Sequence, residues 1–123
     1  EIRLSLVGSE MCIREDSGRG IIKLSFNDYS GALQDFSKAI ELSPSCGDYY
    51  NRGIAKDELK DYYGAIHDYS KAIEFDSNDK DVYHQRGFSK LKLGDKKGAC
   101  ADWTKAVELG DTTARKLLIE YCK

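Results

Sequence analysis

Apolar positions recur at helical spacing in three stretches of the chain. Tyr29, Leu33, Phe36 and Ile40 follow one another at steps of four, three and four, which gathers them on one side of a helix. Tyr62, Ile66, Tyr69 and Ile73 repeat the pattern, and Lys96, Cys100, Trp103 and Val107 repeat it with a polar first member. An aspartate stands just ahead of each stretch (Asp28, Asp61, Asp95), where its carboxylate can accept the first unpaired backbone N–H groups of a helix. Each of these helices is preceded by another, clearest over residues 49–59 and 83–93. Those first helices end in the turn residues Asn27, Lys60 with Asp61, and Gly94 with Asp95. Two short helices joined by a tight turn predict an antiparallel hairpin.

The hairpins are copies of one another. "YSGALQDFSKAIELSP", "YYGAIHDYSKAIEFDS" and the looser "KKGACADWTKAVELGD" bring three sets into register: Gly20, Gly53 and Gly87; Ala32, Ala65 and Ala99; Ala39, Ala72 and Ala106. The spacing is 33 and then 34 residues, a period that marks a stacked array. Gly53 and Gly87 fall inside first helices, where each costs about 1 kcal/mol against Ala, so each needs a packing reason. The expected reason is close approach of the second helix, opposite Ala65 and Tyr69. After Leu109 comes "GDTTARKLLIEYCK", with Asp111 or Thr112 as cap and Leu117, Leu118 and Tyr121 on one short helix. A stacked array leaves the apolar face of its last unit open unless something covers it, and this helix is the expected lid. The count is seven helices and no strand, an all-α α-solenoid.

This pattern of aromatic, glycine, alanine, aromatic and alanine, carried by Tyr49, Gly53, Ala65, Tyr69 and Ala72 with Pro44 one copy earlier, resembles the tetratricopeptide repeat family. The resemblance covers residues 16–113, in units of about 16–45, 46–79 and 80–113, followed by a capping helix of about 112–122. It departs from the family where Asp16 replaces an aromatic, and where Ser77 and Asp111 replace a proline. It implies a right-handed superhelix of antiparallel helix pairs with a concave groove. Residues 1–15 are expected to lie outside this domain. The stretch "LVGSEMCIR" has neither helical nor strand period and looks like a translated sequencing adapter, so the segment reads as non-native or disordered.

One further regularity stands apart from the family pattern. Arg19, Arg52 and Arg86 precede the three glycines, and Asp35, Asp68 and Asp102 each follow 16 residues later, which predicts a bidentate Arg–carboxylate pair within every hairpin.

Charge and composition narrow the partners. Lys and Arg number 19 against 21 Asp and Glu, and the net charge of −2 supplies no field that would gather nucleic acid. No apolar run approaches the roughly 20 residues of a membrane span, so no insertion is expected. The four cysteines (Cys12, Cys46, Cys100, Cys122) lack C-x-x-C spacing, and His67 and His84 are the two imidazoles available, so neither metal nor cofactor is expected. Cys100 and Cys122, on the last second helix and the lid, fit a disulfide in an oxidising compartment, or equally two small buried thiols in a reducing one. The chain carries no phosphate-binding loop, dinucleotide fingerprint or metalloprotease motif, and the expected role is not enzymatic.

Register with the family implies that the first helices line the concave face. Its candidate partner-binding residues are Tyr50, Asn51, Ile54 and Asp57, with Glu58, in the second unit. In the third they are His84, Gln85, Phe88 and Leu91, with Lys92. The expected function is a scaffold that holds a peptide or helix of another protein. The competing expectation is a portion of a longer protein whose array forms a homodimer, through Ile21 and Ile22 of the worn first unit, or docks on a catalytic domain. Members of the family that grip chaperone tails do so with Lys, Asn, Asn, Lys and Arg. Here those places hold Ser17, Ile21, Asn51, Asp81 and Gln85, which argues against a chaperone-tail adaptor.

Overall fold

A computed structural model of the chain describes residues 18–123. Its elements are α1 (Gly18–Ser25), α2 (Tyr29–Leu42), α3 (Cys46–Glu58), α4 (Tyr62–Phe75), α5 (Lys80–Lys92), α6 (Lys96–Glu108) and α7 (Thr112–Tyr121). There is no strand among the described residues. Residues 1–15, with the expectation attached to them, lie outside that range.

The hairpin turns explain how one helix ends as the next begins. Asn27, Lys60 and Gly94 adopt positive φ of 63°, 67° and 85° directly after α1, α3 and α5. In the second unit, the N–H of Lys60 then bonds the carbonyl of Asp57, and that of Asp61 bonds the carbonyl of Lys56. This pair of bonds satisfies the carbonyls a helix end leaves open. Asp61, having closed α3, opens α4 by accepting the Gly64 N–H at 3.0 Å. Asp28 and Asp95 do the same for Gly31 and Gly98. One residue serves two helix ends, which is why these turns can be so short.

The first helices begin earlier than their apolar pattern implies. The helical pattern is clearest from residues 49 and 83; α3 starts at Cys46 and α5 at Lys80. Ser45 and Asp79 supply the caps, Ser45 accepting the Asp48 N–H and Asp79 that of Asp81. The extra turn of α3 also begins with a reciprocal contact, the Ser45 hydroxyl donating to Asp48 at 2.9 Å.

Each helix packs on its neighbours in chain order, and α3 also touches α5. The core is three clusters in series. Each is built on one fully buried aromatic of a second helix, Phe36, Tyr69 or Trp103. Each is closed by a residue of the following unit: Ala55 for Phe36, Val82 for Tyr69, and Ala114 of α7 for Trp103. No hairpin hides its own apolar side. The lid therefore does for the third unit what α3 and α5 do for the units before them, with Leu117, Leu118 and Tyr121 packed on the Trp103 cluster. The two mid-helix glycines lie flat under these rings, and a Cβ on Gly53 would stand 2.6 Å from Tyr69 Cε1 while one on Gly87 would stand 2.4 Å from Trp103 Nε1.

The inner face as candidate functional site

Because α3 and α5 touch, the first helices form an inner rank, and the side chains between them face one another across the unit boundary. Asp57 accepts the Tyr69 hydroxyl at 2.6 Å from its own hairpin and the Ser89 hydroxyl at 2.6 Å from the next. Burial pushes its carboxyl above the ordinary range, against the pull of those two hydrogen bonds. His84 meets Asp111, the cap of α7, at 2.6 Å. Burial acts to raise the Asp111 carboxyl, but hydrogen bonds from Thr113, His84 and the Ala114 backbone outweigh it and hold the group below its usual value.

Several of the candidate inner-face residues also take part in packing. Tyr50 lies against Tyr69 with centroids 6.0 Å apart, and Ile54 packs on the same cluster. Phe88 meets Trp103 edge-on at 5.3 Å, and Leu91 packs on that cluster too. Asp57 and His84 are engaged in the contacts just given. Burial, with the carboxylates of Asp81 and Asp79 nearby, pushes the Tyr50 phenol well above its normal range.

Asn51 and Gln85 behave otherwise. Both are half-buried, and neither side-chain amide bonds to another described residue. Beside Gln85 opens a hollow of about 350 Å³, floored by Phe88 and Ser89 and rimmed by Glu58, Lys60 and Lys92. The Gln85 amide, the Phe88 ring and a rim of both charge signs can hydrogen-bond a backbone and hold one sizeable side chain without demanding a ligand charge, and Asn51 offers a second amide on α3, outside the hollow.

Behind this face the helices are tied by arginine. Arg52 donates from Nε and Nη2 to the two Asp68 oxygens, both at 2.8 Å, and from Nη1 to the Ser37 hydroxyl of the preceding unit at 3.2 Å. Arg86 does the same toward Asp102 and Ser70. Lys56 and Lys90 give the same carboxylates a second cation, at 3.0 and 3.1 Å. In the first unit Asp35 meets Lys23 at 3.0 Å, and Arg19 lies outside the described side chains. Cys100 and Cys122 are joined as a disulfide, with Cα atoms 5.9 Å apart. Among the described residues no cluster of His, Cys, Asp or Glu suits a metal ion, and no helix is long and apolar enough to cross a membrane.

Sequence reasoning missed Ser89, the His84–Asp111 contact and the hydroxyls of Ser37 and Ser70. The serines carried a visible signal, since "FSK" and "YSK" recur one position after the core aromatic.

A profile of the tetratricopeptide repeat matches residues 49–79, the second unit. Among curated proteins, no sequence matches the chain. Solved structures share its shape. The tetratricopeptide domain of Arabidopsis OM64 is 27% identical over 88% of both chains, with a TM-score of 0.78. The second such domain of human RPAP3, solved with an HSP70 peptide, is 23% identical over 94% of this chain and 99% of that one, with a TM-score of 0.83. The first such domain of Spaghetti, bound to the HSP90 peptide SRMEEVD, is 21% identical over 94% of both chains, with a TM-score of 0.84. At these identities the last two speak to fold alone. The chain thus carries a tetratricopeptide repeat in its second unit and shares the fold of tetratricopeptide repeat domains over most of its length.

Proposed function

We propose that this chain is a non-enzymatic scaffold whose inner face binds an extended peptide or a helix of a partner protein. The observation that carries the reading is the hollow beside Gln85, lined by Phe88 and rimmed by Glu58, Lys60 and Lys92, with a second open amide, Asn51, on the neighbouring first helix. Several proteins of the same shape were solved with peptides bound, which supports a peptide as the class of ligand. The chaperone-tail chemistry does not transfer. Of the residues that grip a terminal carboxylate in this family Asn51 alone is matched among those described, and Asp81 would repel that group where a lysine should hold it.

Selection from a random peptide library against the oxidised full chain tests the proposal. Asn51→Ala combined with Gln85→Ala should weaken selected peptides at least tenfold, while Lys71→Ala on the outer side of α4 leaves them unchanged. Peptides indifferent to the first pair and sensitive to the second would contradict the inner-face assignment.

A second reading, self-association, is favoured by one observation. Leu42 is 82% exposed, against 55% for Phe75, its counterpart 33 residues on, which stacks on Tyr49 at 5.8 Å; Phe26 of the same unit as Leu42 is 80% exposed. Sedimentation equilibrium decides it: a dimer that Leu42→Glu dissolves favours this reading, and a monomer at all concentrations removes it.

A further inference from the structure

The last helix is held at both ends, and the two attachments meet through the core. At its beginning, Asp111 caps α7 and meets His84 of α5 at 2.6 Å. At its end, Tyr121 lies 5.8 Å from Trp103, and the next residue, Cys122, is bonded to Cys100 of α6. Between the two ends runs a continuous series of rings: Tyr121 on Trp103, Trp103 on Phe88 at 5.3 Å, and Phe88 on His84 at 5.2 Å. The chain of contacts thus leaves α7 at Tyr121, passes through the third unit to the inner face, and returns to α7 at Asp111.

By itself α7 is a weak clamp. It has ten residues, too few for a helix to persist alone, and it fully buries one side chain, Ala114. The disulfide closes a loop of 22 residues and is the one covalent tie between the lid and the array. Both cysteines are half-buried and belong to the last two elements of the fold, and exchange begins when a thiolate reaches one of their sulfurs.

We propose that the Cys100–Cys122 disulfide is a reducible latch that sets how firmly the lid, and with it the His84–Phe88 part of the inner face, is held. The reductant is a dithiol. Its thiolate attacks one sulfur to give a mixed disulfide, and its second thiol resolves that intermediate. The Cys100–Cys122 bond is broken, a disulfide forms in the reductant, and the two cysteines leave as thiols with the two protons and two electrons the dithiol gives up. The remaining hold on α7 is then its packing on Trp103 and the Asp111–His84 contact. The lid opens more often, while the first two hairpins, whose clusters lack any α7 residue, stay closed.

Hydrogen exchange by mass spectrometry on the full chain tests this, comparing oxidised protein, protein reduced with dithiothreitol, and a Cys122→Ser variant that isolates this bond. Alkylation establishes which cysteines are thiols in each sample. Opening of the 22-residue loop should lower protection of amides 117–122 about a hundredfold in the last two samples, with α2 to α4 unchanged. Quenching of the single tryptophan, Trp103, by acrylamide should rise in parallel. Unchanged protection of α7 in the reduced and variant proteins would overturn the proposal. So would loss of protection across all helices, which would make the bond a staple of the whole fold, and so would free thiols at Cys100 and Cys122 after air oxidation.

Discussion

Arg52 holds Asp68 by two hydrogen bonds of 2.8 Å each across the α3–α4 seam, and 34 residues later Arg86 holds Asp102 in the same way. Asp68 is fully buried, so removing its carboxylate strands the guanidinium and the Lys56 ammonium with no anion between them. Breaking a buried pair on one side is among the costlier single changes a fold can suffer. Asp68→Ala should lose about 3 kcal/mol in urea unfolding, and Glu74→Ala, whose contact with Lys71 is exposed and 3.8 Å long, less than about 0.5 kcal/mol. Equal losses would reduce the buried pair to a surface contact.

Gly53 shows the opposite sign from an ordinary helix glycine. Alanine in a helix interior normally gains about 1 kcal/mol, but here a Cβ meets the Tyr69 ring at 2.6 Å. Gly53→Ala should destabilise by about 2 kcal/mol, and the penalty should shrink when Tyr69→Leu makes room. Thermal melts of the two single variants and the double variant give the coupling.

Lys60 adopts a φ of 67°, where its counterpart in the third unit is Gly94 at 85°. The left-handed conformation disfavours a side chain by about 1 kcal/mol. Lys60→Gly should therefore stabilise the protein by about 0.5 to 1 kcal/mol, despite the freedom glycine adds to the unfolded chain. A lowered midpoint in urea would show that the Lys60 side chain has a role the turn geometry does not express.

Asp79 is 1% exposed, and burial pushes its carboxyl up to about 6, only partly offset by the Asp81 N–H it accepts and added to by the carboxylates of Asp81 and Asp76. The folded state therefore binds its proton more tightly than the unfolded state does. The resulting stability is present below the ordinary pKa of 3.8 and is lost as pH rises from there to about 6. Asp79→Asn keeps a good helix cap and removes the ionisation. Relative to the parent, the variant should gain roughly 2 kcal/mol between pH 4 and pH 7.5, read from urea midpoints. A difference that does not change with pH would show that Asp79 does not titrate in this window.

The periodic part of this fold was legible because it is written in residues whose size decides packing. Gly53 under Tyr69 and Gly87 under Trp103 follow from register alone, as does the role of Asp61 at a turn with no room for a separate cap. The first turn of α3 is less legible than the rest, although "SCGD" offers Ser45 and Asp48 three residues apart, because Gly47 and Asp48 are weak helix formers and break the apolar rhythm. The contact of Ser89 with Asp57 depends on the offset between successive first helices, a distance that no single hairpin encodes. The same offset turned Ile54, Phe88 and Leu91 from open groove positions into partial core, and left Asn51 and Gln85 as the open polar groups of the face.

The claim on which the functional account rests is that a partner peptide lies along that face. Titrating isotopically labelled protein with a library-selected peptide, and following backbone and side-chain amide shifts, addresses it residue by residue. The account predicts the largest changes at the Asn51 and Gln85 side-chain amides and along α3 and α5, with α2, α4 and α6 little moved. Changes concentrated on the outer surfaces of those second helices, with both amides unmoved at saturation, would contradict it.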